Sequence, residues 1–109
     1  MANIYYLYES DSFVWDEDKE RLNIRKHGID FRTAAKVFDD EMRLEYPDPE
    51  HSEDEERYRT IGLVHAVLTV VYCDRENSQT GATDTRIISA RVATTTEKNA
   101  YNNNLAGRF

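Results

Sequence analysis

The chain has 109 residues and a mass of 12.7 kDa, enough for one modest hydrophobic core and too little for a second catalytic domain or a repeat array. Apolar residues make up 39%, charged residues 32%, and the mean hydropathy is -0.77, yet seven Tyr, four Phe and one Trp supply bulk that a disordered chain would lack. A membrane span is excluded, because no stretch approaches about 18 apolar residues. MANIYYLYESDS carries neither the basic nor the apolar region of a signal peptide. A single Cys rules out an internal disulfide framework, so the expectation is a cytoplasmic protein. The net charge of -7 is unevenly spread: residues 39–56 hold 10 acids against Arg43 alone, whereas residues 57–109 hold 4 acids against 7 bases. The total disfavours generic nucleic-acid binding, but a local basic face in the second half remains open to it.

In chain order, residues 1–12 read as an extension or an added edge strand, with Ile4 to Tyr8 as a β-prone run, and residues 13–109 as a single domain. Asp16 caps a first helix, Glu17 and Asp18 suit its positive end, Lys26 and His27 its negative end, and Gly28 its stop. Only Leu22 and Ile24 are strongly apolar there, which makes it a surface helix. Asp30 caps a second helix, Phe31 to Phe38, with Phe31, Ala34, Ala35 and Phe38 on one face. Residues 42–46 read as a short strand and Pro47 to Glu55 as an acidic loop. Arg57 to Leu63 reads as a strand, with a tight turn at Val64 to Ala66. Val67 to Tyr72 reads as a central strand buried on both faces, residues 74–82 as a connection, and Thr83 to Ala90 as a further strand. Thr94 and Glu97 form a capping-box pattern for a last helix that the asparagines at 102–104 end. Helices and strands are segregated, so the expected class is α+β: two N-terminal helices, an antiparallel sheet of about four strands and a C-terminal helix.

His51 among Asp48, Glu50, Glu53 and Asp54 would offer oxygens to a hard cation, but it fails the EF-hand count, since Glu53 stands where Gly is needed and Arg59 where Glu is needed. A solvated acidic loop is the simpler reading, and no cofactor or metal is expected. Cys73 has no partner motif and reads as a structural thiol. Lys26, His27, Arg57, Arg59, Arg86 and Arg91 form a scattered basic set, suited either to phosphate or to ordinary surface pairing. Regular strand alternation would put Arg86 and Arg91 on opposite faces, and a bulge or strand end near Ala90 would be needed to bring them together.

Trp15-Asp16-Glu17, Asn23, Lys26-His27-Gly28-Ile29, Phe31, Ala34-Ala35 and Val37-Phe38-Asp39 resemble the start of BrnT-type toxins. The resemblance continues through His51-Ser52, Glu55-Glu56-Arg57, Ile61-Gly62-Leu63, Val70-Val71-Tyr72 and Arg86-Ile87-Ile88-Ser89-Ala90-Arg91 to Ala93-Thr94 and Glu97. This chain differs in carrying Val92 where the family usually has a second base, and a last helix with Lys98 as its one base before Tyr101. The resemblance implies a bacterial toxin of a type II toxin–antitoxin system with a RelE-like fold. It also implies a BrnA-like antitoxin as partner, RNA as substrate, and DNA association only indirectly, through the antitoxin.

RNA can be cut without a metal by its own 2′-hydroxyl, given groups that move protons and hold the charged phosphorane. Arginine suits the phosphate because its fork is bidentate and permanently charged; Arg57, Arg86 and Arg91 are the candidates. A histidine near neutral pKa suits proton transfer, so His27 and His51 are candidates and His65, at a turn, a lesser one. Lys26 would neutralise charge, and Glu56 would act as base or orient an arginine. The catalytic set is thus Lys26, His27, Glu56, Arg57, Arg86 and Arg91. The alternatives are an antitoxin-binding co-repressor with weak or lost nuclease activity, for which the acidic middle would meet a basic partner, and a metal-dependent hydrolase built on His51.

Overall fold

A computed structural model describes residues 2–49 and 55–107. Six strands form one sheet: β1 (Asn3–Tyr8), β2 (Asp11–Asp16), β3 (Leu44–Pro47), β4 (Tyr58–Leu63), β5 (Val67–Glu76) and β6 (Thr83–Val92), in the order β1-β2-β6-β5-β4-β3. Three α-helices accompany it among the described residues: α1 (Glu17–His27), α2 (Phe31–Ala35), which tightens into a 3-10 turn at Lys36–Asp39, and α3 (Thr95–Ala106).

The class is α+β, but the expected layout of two N-terminal helices and about four antiparallel strands is wrong. A hairpin, β1–β2, precedes the helices, and β2 joins β6 in parallel through Phe13↔Thr85 and Val14↔Arg86, so the sheet has six strands and is mixed. Two local features hid the hairpin. Its two-residue turn is Glu9-Ser10, both with positive φ (55° and 88°), a conformation usually signalled by Asn-Gly or Asp-Gly. Asp16 both ends β2 and caps α1, accepting from the N–H groups of Asp18 (2.8 Å) and Lys19 (3.2 Å), so the strand is hidden against the helix start.

Strand alternation divides the residues between two faces. One face presents Phe13, Trp15, Leu68, Val70, Ile87 and Ala90 to Phe31, Ala34, Ala35 and Val37, and this is the main core. The apolar face foreseen for Phe31 to Phe38 is present, with Phe31, Ala34 and Ala35 fully buried, although the last turn is 3-10. Gly62 lies where a Cβ would come within 2.8 Å of Val37 Cγ1. The opposite face is covered over β3–β5 by α3, through Tyr101 and Leu105 on Ile61, Leu44 and Val67. The Tyr101 hydroxyl donates to Asp40, which also accepts from Leu63 N–H at 2.8 Å, and Asn104 donates to the Met42 carbonyl at 2.9 Å. That anchoring carries α3 past the asparagines expected to end it, as far as Ala106. Beyond α3 no described helix covers this second face.

α1 ends as expected, at Gly28 in the left-handed region (φ 71°), and Leu22 and Ile24 are exposed. Its one buried residue is Asn23. β2 pairs only with the start of β6, so the far end of β6 has a bare edge. Asn23 closes it: the amide donates to the carbonyls of Ile29 and Ala90, both at 2.9 Å, and accepts from Ala90 N–H at 3.0 Å.

Candidate functional site

The β5–β6 register slips between Val71, which faces Ser89, and Tyr72, which faces Ile87, leaving Ile88 as a bulge. The slip restores Arg86 to the face that carries Ser89 and Arg91. The bulge lies at Ile88, two residues from the place where the sequence needed one. Arg59 shares that face, since it pairs with Val71 and Thr69 pairs with Arg91.

A cavity of about 300 Å³ opens there, lined by His27, Asp48, Arg57, Arg59, Ser89 and Arg91, with Val71 and Ile88 as its apolar wall. Each wall has a local cause. His27 is the last residue of α1, which Asn23 holds against β6. Arg57, just before β4, and Arg59, within it, are two apart and line the same cavity. Asp48 is buried and donates its N–H to the Arg57 carbonyl at 2.9 Å, which fixes the end of β3 beside β4.

Glu97 organises the arginines. At the start of α3 it accepts from Thr94 N–H at 2.8 Å and forms a two-pronged pair with Arg91, Nη1 at 2.6 Å and Nη2 at 3.1 Å. Arg59 Nη1 stands 3.6 Å from the same carboxylate. Burial by itself would raise the Glu97 carboxyl, but the Arg91 and Thr94 hydrogen bonds pull it down to about 2. Arg91 is thus held by hydrogen bonds, while Arg59 Nε is a buried donor with no hydrogen-bond partner among the described residues.

The six expected site residues are not all in one place. His27, Arg57 and Arg91 come together. Lys26 lines a shallower cavity of about 160 Å³ that shares His27, Ile88 and Ser89 with the first. Glu56 is exposed, accepts from the Tyr58 hydroxyl at 2.8 Å, and borders a different cavity that meets the first at Arg57 alone. Arg86 lines a fourth cavity, toward β1. His65 borders a cavity on the far side of His27. His51, Glu50, Glu53 and Asp54 lie outside the described residues, and among those described no three metal-ligating side chains cluster. Cys73 is fully buried, and burial with the neighbouring Glu55 pushes its thiol up to about 11, protonated at neutral pH. Arg59, named in the basic set, and Asp48, named in the acidic cluster, were not among the expected catalytic residues, and neither was Glu97. The Arg-x-Arg spacing of 57 and 59 at a strand start was the available signal for the first, whereas Glu97 was visible as a helix cap and in the family resemblance.

Chemically, three guanidinium groups and an imidazole around one concavity can hold an anionic group and exchange a proton with it. The fold and this cleft define a small α+β protein with a cationic pocket on one sheet face. Residues 15–97 match the family described as "Ribonuclease toxin, BrnT, of type II toxin-antitoxin system", and the chain belongs to that family. Its members are ribonuclease toxins, and a type II system implies an antitoxin partner. No curated protein matches the chain. No helix among the described residues is long and apolar enough to cross a membrane.

Proposed function

We propose that the protein is a metal-independent endoribonuclease that cuts RNA by attack of the 2′-oxygen on the adjacent phosphorus, inhibits translation in the bacterial cytoplasm, and is held in check by a BrnA-like antitoxin. The observation that carries this reading is the convergence of His27, Arg57, Arg59 and Arg91 on one cavity. In it, Arg57 and Arg59 bind the scissile phosphate and neutralise the phosphorane. Arg91 stays locked to Glu97 and sets the position of Arg59 through that shared carboxylate. His27 takes the 2′-hydroxyl proton or returns one to the leaving 5′-oxygen, and Lys26 adds positive charge at the rim. The 2′-oxygen–phosphorus bond forms as the bond to the 5′-oxygen breaks, which gives a 2′,3′-cyclic phosphate and a 5′-hydroxyl. Glu56 has no part in this step, because its carboxylate faces a neighbouring cavity. Arg86 serves a flanking part of the RNA.

The test is cleavage of a mixed-sequence RNA in EDTA by wild type and by an Arg57→Ala/Arg59→Ala variant shown by circular dichroism to be folded. The variant loses at least about 10²–10³-fold in rate. Equal cleavage by both proteins refutes the assignment. A second reading, an antitoxin-binding co-repressor with weak nuclease activity, draws on the acidic segment 39–56. It prevails if wild type cuts nothing with or without ribosomes while still binding antitoxin in a salt-sensitive manner.

A further inference from the structure

A cavity of about 500 Å³, larger than the arginine pocket, lies beside it on the same sheet face. Its volume lies within the range of small-ligand sites. It is built where β1 and β2 pass beside the β5–β6 hairpin. Tyr5 pairs with Val14, and Val14 with Arg86, so Tyr5 and Arg86 stand on one face two strand spacings apart, about 10 Å. Tyr5 is an aromatic side chain 65% exposed at the cavity edge, with no ring partner among the described residues. Two acids of the hairpin line the cavity, Asp84 and Glu76; Asp84 is engaged, accepting from Ser12 at 2.6 Å and from Asn77 at 3.2 Å. Arg75 is likewise held by Glu55 at 3.3 Å. Arg86 makes no hydrogen bond or close ion pair among the described residues, and although the Asp16 carboxylate acts on it through space, it is the cavity cation that a ligand's phosphate would meet. Asn3 and Gln79 add amides to the wall that can both donate and accept.

An exposed ring, a guanidinium and two amides are the groups that recognise an unpaired nucleotide: a base stacks on the ring, its edge meets the amides, and the phosphate meets the cation. Along β6, Arg86 is about 10 Å from Ser89 in the arginine pocket, so the two cavities lie side by side on one sheet face. We propose that this cavity is a nucleotide subsite flanking the scissile phosphate, with Tyr5 as its stacking platform and a determinant of cleavage context. The inference rests on the ribonuclease reading above. Tyr5 lies before residues 15–97, so the subsite depends on a strand that the family match does not include.

The experiment uses short single-stranded RNAs with one cleavable ribose in a 2′-O-methyl background, and matched fully 2′-O-methylated RNAs for binding by fluorescence anisotropy. A second set carries an abasic residue on either side of the scissile step. Tyr5→Ala lowers kcat/KM and affinity about tenfold, Tyr5→Leu does the same, and Tyr5→Phe stays within about twofold of wild type. The difference disappears on the RNA whose flanking base is missing. Circular dichroism verifies folding, and the exposure of Tyr5 favours it for all three variants. If wild type cuts and binds RNA while both Tyr5→Ala and Tyr5→Leu match it, the subsite is refuted and the nuclease stands. A loss that persists on both abasic RNAs also refutes stacking. If wild type neither cuts nor binds, the ribonuclease reading fails and the subsite with it.

Discussion

Glu97 shows how a single side chain serves both stability and site. It caps α3, pairs with Arg91 and reaches Arg59, all from a position 8% exposed. Its folded-state pKa of about 2 lies below the ordinary carboxylate value of 4.5. The folded protein therefore binds this proton more weakly than the unfolded chain does. The stabilisation is complete above about pH 5 and is lost as pH falls from there through about 2. Its size is roughly 3 kcal/mol. Glu97→Gln should thus cost about that much at pH 7, and the gap to wild type should narrow as pH falls below about 4.5 and close near pH 2, read from urea unfolding across pH. The variant should also lose cleavage, because Arg59 is freed from its anchor. A gap that did not vary with pH would show that the carboxylate charge is not what stabilises.

Between elements, the decisive contact is Asn23. α1 is almost wholly polar, so apolar burial alone does not fix its position on the sheet. Its buried amide replaces the neighbouring strand that β6 lacks at Ala90, and in doing so brings His27 to the rim of the arginine cavity. Asn23→Ala strands the Ala90 N–H and the carbonyls of Ala90 and Ile29, at a cost of roughly 2–4 kcal/mol. Urea unfolding measures the loss, and hydrogen exchange at the Ala90 amide should quicken more than exchange in β4. A uniform change across the sheet would contradict the local role. Sequence patterning identified α1 by its caps and α2 by its apolar face, because those signals lie within one turn of helix. It could not show that Asn23 pairs with Ala90, 67 residues away.

At the scale of the whole molecule, a protein of net charge -7 is proposed to bind a polyanion. The separation of charge makes this workable: the acids concentrate in residues 39–56, while the cleft gathers Arg57, Arg59 and Arg91 from the basic half. Binding must then be local. If two phosphates are neutralised, log K for an uncleavable single strand should fall with log salt at a slope of about -1.4. Anisotropy titrations between low and physiological salt give the slope. A value several times steeper would mean an extended basic track in place of one pocket and its neighbour.

The sequence by itself determined the α+β class, the helix caps, the core face of Phe31, Ala34 and Ala35, a central strand over Val67 to Tyr72 and the family, since each is written in near neighbours or in ordered motifs, although that strand is not buried on both faces, as Val67 and Val71 are only half-buried. It also supplied the arginines from which the site is made. Tertiary structure decided which of them meet. The bulge at Ile88 turns Arg86 to the face of Arg91, yet strand distance assigns the two to separate cavities, and Glu56 is directed elsewhere. The parallel junction of β2 with β6 and the Glu9-Ser10 turn were equally out of reach. A one-residue register slip, a non-glycine turn and a pairing across more than 70 residues are fixed by packing and hydrogen bonding over the whole sheet, and leave no periodic trace in the chain.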